Sequence, residues 1–260
     1  MTDPTPLDRD EIARHAGAFE IEVHDLIDST QSRARQRVQS GMRRAAAVIA
    51  NAQSNGRGQR GRSWQSPAGA AIYMTVVWPS ARPVAGLAGL SLVVGLAVRA
   101  ALARWHLDAR LKWPNDVWVD QRKLAGILVE VVADRRDCNA LIGIGLNLDL
   151  PEATAASIDQ PWIDLDELLD TVPSRNRLVA ALLDQIQDYL ARFETSGLTH
   201  FQDEWRSADA LAGHAIWLLD TNGPTPALAL GIDAIGRLMV DVDGQQRSLS
   251  AGEISIRLHE

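Results

Sequence analysis

The sequence predicts an α+β protein: strands and helices along most of the chain, followed by a small β-barrel. Three observations predict it. Short apolar runs interleave with amphipathic stretches from about residue 8 to residue 208, the pattern of strands alternating with helices. A run of 15 apolar or small residues, Val84 to Val98, precedes Arg99; it falls short of the ~20 residues that span a bilayer and reads as a buried core helix. Beyond Ala215 the chain turns to short β segments punctuated by glycine-bearing turns, a spacing that suits a small barrel.

Taken in order, a short helix is expected near Asp8 to His15, then a strand from Phe19 to Leu26 with alternating apolar positions. Ser29 and Thr30 can cap a helix from Gln31 to Ser40, closed by Gly41. Ala45 to Ala52 reads as a buried strand, and a glycine- and arginine-rich loop follows from Gln53 to Gly69. Ala71 to Trp78 is the next strand, and Pro83 opens the apolar helix, which runs to about Trp105. Short strands near Arg110 to Trp113 and Val117 to Val119 lead through a tight turn at Asp120 to Arg122. Long apolar strands follow at Leu124 to Val132 and Ala140 to Leu146. An acidic linker, Pro151 to Pro161, precedes helices over most of 164–208. Turns at Asn222-Gly223-Pro224, Ile235-Gly236 and Asp243-Gly244 separate the last strands. The expected boundary lies near Leu211, giving a first domain of residues 1–210 and a C-terminal barrel of residues 211–260.

Composition narrows the function. The chain has 260 residues, 46% hydrophobic and 23% charged, with a formal net charge of −7, which excludes wholesale disorder and collagen-like repeats. A single cysteine, Cys138, excludes an internal disulfide; with no basic-then-apolar leader, it points to a cytoplasmic protein with no membrane partner. Six scattered histidines lack metal-ligand spacing, which argues against a zinc site. Of 26 basic residues only Lys112 and Lys123 are lysines. Lysine is a compact charge on a flexible stem and arginine a planar fork. The two lysines therefore sit where a guanidinium cannot serve, or they are chance surface positions. Charge is also segregated. Residues 33–62 hold eight arginines and no acid, while residues 149–170 hold seven acids and no base. The basic run can attract a phosphate, nucleotide or nucleic acid, although Arg33, Arg35 and Arg37 read as a solvated helix face. The chain lacks the aromatic stacking pattern of nucleic-acid modules.

Four segments carry the chemistry. Gly56 to Gly61 matches Gly-x-Gly-x-x-Gly, but a strand rather than a helix follows, so it is no dinucleotide fingerprint; nor does Gly-Lys-Ser/Thr close a P-loop. What remains is a loop whose Arg57, Arg60 and Arg62 can fold over a phosphate, with Trp64 either stacking on a base or entering the core. In "LKWPNDVWVDQRKLAGILVE", Pro114 presents Asn115 and Asp116. Asp116 can orient Mg²⁺, accept a proton or cap a turn. Lys123 follows on the next strand, and Gly126 leaves room for a ligand or a backbone. In "IGIGLNL", Asn147 is a lone asparagine that must be hydrogen-bonded, by ligand or by backbone. Finally, the hydroxyls of Ser29 and Thr30, beside Gln31, can cap a helix or bind a polar ligand edge.

In this order, "DST" (28–30), "GRGQRGRSWQSPAG" (56–69), "KWPNDVWVDQRKLAGILVE" (112–130), "GIGLN" (143–147) and "GEISIR" (252–257) resemble the motifs of the biotin protein ligases. The resemblance implies a mixed-sheet biotin/lipoate ligase-like catalytic domain followed by an SH3-like barrel. It implies ATP and biotin as substrates with Mg²⁺, and two half-reactions: formation of biotinyl-5′-adenylate, then transfer of biotin to a lysine of the biotin carboxyl carrier protein of acetyl-CoA carboxylase. A lipoate or octanoate ligase and a non-catalytic biotin sensor are the alternatives. Lys123, Arg57 and Asp116 are the implied catalytic residues, and Asp116 the implied metal ligand. Ser29, Thr30, Gln31, Gln53, Arg57, Gly58, Gln59, Lys123 and Gly126 would hold biotin. Arg57, Gln59, Arg60, Arg62, Trp64, Lys112, Asn115, Asn147 and Arg257 would hold ATP or the adenylate, and Glu253 would reach the nucleotide or the carrier. The family loop usually reads Gly-Arg-Gly-Arg, and Gln59 departs from it. About twenty residues precede the first strand, too few for a helix-turn-helix. The expectation is therefore a monofunctional ligase, monomeric or weakly dimeric, without sequence-specific DNA binding.

Overall fold

Near-continuous apolar runs such as Ala46–Ala50 and Ala140–Ile142 give the central strands two dry faces, so the sheet must be covered on both sides. The computed structural model of the protein describes residues 6–134, 137–156, 158–220, 223–252 and 254–259. Its larger sheet holds β1 (Glu20–Ile27), β2 (Ala46–Gln53), β3 (Ala71–Ser80), β4 (Arg110–Lys112), β5 (Asp116–Val119), β6 (Arg122–Ala133) and β7 (Cys138–Asn147). The spatial order is β1-β2-β3-β7-β6-β5-β4. β1 and β2 run parallel, and the other neighbouring pairs are antiparallel. The helices are α1 (Arg9–Ala13), α2 (Thr30–Gln39), α3 (Leu90–Leu102), α4 (Glu152–Ala155), α5 (Leu165–Leu168), α6 (Arg175–Ser196) and α7 (Gln202–Ala208).

Residues from α1, α3, α6 and α7 pack over one face of the sheet, where Ile49, Ile72, Met74, Val76, Ile142, Ile144 and Leu146 point. On the other face, α2 buries Ala34 and Val38 against Ala46, Val48, Val77 and Leu141. Ser29 caps α2 by accepting from the Gln31 amide at 3.2 Å. Arg33 and Arg37 tie the helix to β1 through Glu22, each at 2.6 Å. These arginines are thus the paired face of a structural helix. The rest of this sheet face carries Thr75, Gly143 and Gly145 in place of bulky side chains, and there the sheet is left open.

Two expectations for the first domain change. The segment Pro83 to Trp105 is not one helix. A 3₁₀ turn, Val84–Leu87, is followed by Gly89 at φ +77°, which starts α3 afresh. A Cβ on Gly89 would lie 2.5 Å from Leu198 Cδ2, so both the backbone angle and the close approach require glycine. Val84–Trp105 is apolar and long enough to cross a membrane, yet Leu92, Val93, Val94, Leu96, Ala97 and Val98 are buried in the core. The acidic linker also contains structure, the single turn of α4.

The C-terminal sheet is formed by β8 (Ala215–Asp220), β9 (Gly223–Ile232), β10 (Leu238–Val242), β11 (Gln245–Leu249) and β12 (Ser255–Leu258), in the antiparallel order β11-β10-β9-β8-β12. Among the described residues β11 and β12 do not pair with each other, so the expected barrel is an open five-stranded sheet. Asn222, in one of the expected turns, lies outside the described residues. Ile216, Leu218, Val240, Val242 and Ile256 join this sheet to the main core. At the junction, the Ala210 amide donates to Leu111 O at 2.9 Å, and Trp113 Nε1 donates to Gly236 O at 2.9 Å. A Cβ on Gly236 would lie 3.1 Å from Gly89 Cα, so the two backbones touch.

Candidate active site

Where the sheet face is open, the start of α2, the Gln53–Gly69 loop and strands β3, β6 and β7 line a pocket. Its floor is made of missing side chains. Gly126 and Gly145 are direct partners across β6 and β7, and the Trp64 indole returns from the loop to lie on them. A Cβ would come within 2.5 Å of the indole at Gly145 and 3.0 Å at Gly126. Trp64 thereby becomes a wall of the pocket.

One end is a hydrogen-bonded polar cluster. Gln53 Oε1 accepts from the Thr30 amide (2.8 Å) and from Thr30 Oγ1 (3.2 Å). Gln53 Nε2 donates to Ser66 Oγ at 2.9 Å, which in turn donates to Trp64 O at 2.9 Å. Thr75 Oγ1 lies 2.9 Å from Thr30 Oγ1 and 3.1 Å from Gln31 Oε1. Gln31 Nε2 donates to Glu130 Oε2 at 3.0 Å and to Leu141 O at 3.3 Å. Ser29 thus caps α2 and lines the pocket beside Thr30 and Gln31, whose polar atoms are oriented by these bonds.

The other end is ionic. Lys123 Nζ lies 2.7 Å from Asp116 Oδ1, in an ion pair rather than an aligned hydrogen bond, with side chains 13% and 12% exposed. The same ammonium stands 5.2 Å from the centroid of the Trp64 ring. Backbone bonds on both sides fix the Lys123 main chain, its amide donating to Pro161 O and its carbonyl accepting from Ile163, each at 3.0 Å. Asn147 Nδ2 adds bonds to Ile163 O (3.0 Å) and Lys123 O (3.3 Å). The lone asparagine is thus satisfied by backbone, beneath Lys123 and not on the pocket wall. Asn115 does line the pocket, with its Nδ2 donating to Ile127 O at 2.8 Å. Lys112 sits with its ammonium 4.8 Å from the Trp118 ring centroid. Burial pushes its pKa down; Asp116 works against that shift, and the charges of Lys123, Arg257 and Arg62 add to it.

The loop over the pocket is a small hairpin. Gly58 N donates to Arg62 O and Trp64 N to Gly56 O, and the tip turns through Gln59–Gly61 with Arg60 at φ +57°. Arg57 reaches Glu130 Oε1 at 3.2 Å. Burial opposes the charge on Glu130, but the hydrogen bonds from Gln31 and Arg35 and the charges of Arg57 and Arg35 prevail and lower its pKa. Arg60 and Arg62 point elsewhere. Arg60 donates to Ser255 Oγ at 2.9 Å, Ala251 O at 3.0 Å and Ile254 O, and Arg62 reaches Ser255 Oγ at 3.4 Å.

The structure therefore brings Ser29, Thr30, Gln31, Gln53, Arg57, Gly58, Gln59, Trp64, Asn115, Lys123 and Gly126 to one pocket. Asp116 and Lys112 stand behind Lys123. Asn147, Arg60, Arg62 and Arg257 do not line the wall, and Glu253 lies outside the described residues. Sequence reasoning named none of Thr75, Tyr73, Gly143, Gly145 and Glu130 as site residues. Thr75 and Glu130 carried the signal that marked Asn147, a lone polar residue inside an apolar strand.

Residues 23–147 match the biotin/lipoate A/B protein ligase family, and residues 213–257 match the biotin protein ligase C-terminal domain. The chain is 35% identical to the bifunctional ligase/repressor BirA of Salmonella typhimurium, over 98% of this chain and 79% of that protein. It is 32% identical to the biotin–[acetyl-CoA-carboxylase] ligase of Mycobacterium tuberculosis, covering 80% and 77%. It is 30% identical to that of Paracoccus denitrificans, covering 87% and 96%. Among solved structures, the biotin protein ligase of Aquifex aeolicus in complex with biotin and ATP superposes with a TM-score of 0.78 at 26% identity, covering 92% of this chain and 99% of that one. Both family models are matched in chain order, and relatives of this identity are covered over most of their length. This chain therefore belongs to the biotin protein ligases of the biotin/lipoate A/B protein ligase family.

Proposed function

We infer that this protein activates biotin with ATP and transfers it to a carrier lysine. In the first step an oxygen of the biotin carboxylate attacks the α-phosphorus of ATP, forming biotinyl-5′-adenylate and releasing pyrophosphate. In the second, a lysine ε-amine of the carrier attacks the mixed anhydride. An amide forms, AMP leaves, and the amine loses a proton. The observation that carries this reading is Lys123. Its ammonium is held at the ionic end of a pocket whose other end is a polar cluster, so that one cation faces a place where two anions would meet.

Each residue follows from its placement. Thr30, Gln31 and Gln53 supply oriented donors and acceptors for a ureido ring, while Gly126, Gly145 and Trp64 shape a slot for an apolar ring and chain. Gly58, Gln59 and Arg57 close the loop side. Arg57 is poised to exchange Glu130 for a developing negative charge, and Lys123 meets first the carboxylate and then the phosphate. Asp116 orients Lys123 and is the candidate acceptor of the proton from the incoming amine. Arg62, Lys112 and Arg257 make the nucleotide side positive; Asn147 acts through the main chain of Lys123. Among the described residues no three His, Cys, Asp or Glu side chains cluster into a protein cage for magnesium. The lone carboxylate of Asp116 fits a magnesium ion carried mainly by the triphosphate, where it would offset phosphate charge.

The named relatives from Mycobacterium tuberculosis and Paracoccus denitrificans support the biotin carboxyl carrier protein of acetyl-CoA carboxylase as acceptor. We assign residues 1–210 to the catalytic domain and 211–260 to the C-terminal domain. A cytoplasmic monomer or weak homodimer acting without DNA or membrane completes the reading. Pyrophosphate exchange with biotin and, in parallel, lipoate tests it. Exchange is expected with biotin alone, and Lys123→Ala is expected to lose it by at least about a hundredfold. Exchange with lipoate, or an unimpaired variant, would overturn the assignment.

A further inference from the structure

We propose that Glu130 is a positioning residue that fixes which way the Gln31 amide points, so that this end of the pocket faces its ligand with lone pairs and selects a ring bearing N–H donors. The proposal rests on the reading of the pocket as the site of biotin, whose ureido ring offers two N–H groups. Glu130 stands on β6 and Gln31 on α2, 99 positions apart in sequence. An ionised carboxylate only accepts, whereas a carboxamide has an accepting and a donating end that a half-turn exchanges. Gln31 Nε2 donates to Glu130 Oε2 at 3.0 Å and to Leu141 O at 3.3 Å, so both of its protons go to groups that have none to give. Gln31 Oε1 is thereby turned to Thr75 Oγ1, 3.1 Å away. It lies over Gly143, where a Cβ would come within 2.9 Å of it.

The direction of this one amide settles the hydroxyls beyond it. Thr75 Oγ1 has a single proton, and its acceptors are Gln31 Oε1 and, at 2.9 Å, Thr30 Oγ1. Thr30 Oγ1 also has a single proton, for Thr75 Oγ1 or for Gln53 Oε1 at 3.2 Å. Gln53 Oε1 is itself held as an acceptor by the Thr30 amide at 2.8 Å. However the two protons are shared, both are used within the cluster, and Gln31 Oε1 and Thr75 Oγ1 keep free lone pairs. Both residues line the pocket. With the Gln31 amide reversed, Nε2 would donate to Thr75 and a ring N–H would meet a donor, leaving a buried polar group unpaired. Glu130 also accepts from Arg35 and Arg57, each at 3.2 Å. Its charge is thus balanced while the oxygen beside Gln31 remains an acceptor.

Calorimetric binding of three ligands to the full chain without ATP tests this. They are biotin, desthiobiotin, which keeps the ureido ring and lacks the sulfur, and a cyclic carbamate in which a ring oxygen replaces one ureido N–H. Of the two such carbamates, the one that the wild type rejects more strongly is used. In the isosteric Glu130→Gln the new amide can donate as well as accept, and Gln31 is free to turn. The ratio of carbamate to biotin Kd is expected to fall about tenfold, the worth of roughly one hydrogen bond, with the ratio of desthiobiotin to biotin unchanged. Thr75→Val, which removes only the hydroxyl, is expected to lower the carbamate ratio likewise, and the double variant to lower it no further. Arg35→Gln takes an ion pair from Glu130 and leaves its bond to Gln31, so the wild-type ratio is expected. An unchanged carbamate ratio in Glu130→Gln or in Thr75→Val would overturn the proposal. So would an equal loss in Arg35→Gln, because the attachment of α2 to the sheet would then suffice, or a wild type that binds the carbamate as tightly as biotin. A wild type that binds no biotin would instead sink the reading of the pocket.

Discussion

Lys123 and Asp116 are the most consequential pair of side chains. Both are largely withdrawn from water, so removing either leaves a charge without its partner, which is far costlier than deleting an exposed pair. The neighbouring Gln59 lies on the pocket wall where the family usually has a second guanidinium. A neutral amide there grips a phosphate less firmly, and Gln59→Arg is expected to slow release of biotinyl-adenylate about tenfold in a filter-retention assay; equal rates would show that position 59 does not touch the phosphate side. Most of this wall could be read from the chain because its residues are chemically out of place: a lysine among arginines, glycines within strands, and amides at a helix start. Thr75 and Glu130 were equally anomalous, but an isolated polar residue announces that a partner exists without saying which. The partners of Arg60 were illegible for a simpler reason. Ala251 and Ile254 take part through backbone oxygens, which no side-chain pattern reports.

The helix α2 presents Thr30 and Gln31 to the pocket, and what holds it to β1 sets how well it does so. Glu22 is the hinge pin of that attachment. Burial works against its charge, but hydrogen bonds from Arg33 and His24 and the charges of Arg33 and Arg37 hold its pKa below the ordinary 4.5. A carboxyl depressed in the folded state contributes stability that is complete above its unfolded value and is lost as the pH falls through the folded one. The acid limb of a denaturation profile is therefore expected to drop below about pH 4.5. Glu22→Gln should cost about 1–2 kcal/mol near neutral pH and flatten that limb; an unaltered limb would remove Glu22 from the account. Strand positions were readable to within two or three residues because alternation reports burial on each face. The break at Gly89 was not, since Leu198, the residue that demands it, is far away in sequence. The open edge between β11 and β12 was hidden likewise, because closure depends on strand register and curvature that residue spacing leaves undetermined.

At the scale of the whole molecule, the scarcity of lysine acquires a physical consequence. An enzyme that makes a reactive acyl-adenylate can acylate any amine nearby, and guanidinium groups, protonated at all ordinary pH values, are poor targets. Lys123 is largely withdrawn from water at its ion pair, and Lys112 is partly covered over Trp118. Mass spectrometry after prolonged turnover is accordingly expected to find no side-chain biotin away from these two; extensive labelling elsewhere would refute the idea.

Gly89 and Gly236 meet with no side chain between them, and Trp113 bonds across the same seam. The trailing sheet is thus not a passenger on a flexible string, able to swing out and return. Its relation to the cleft is set where Gly236 packs on Gly89, Leu92 and Leu198.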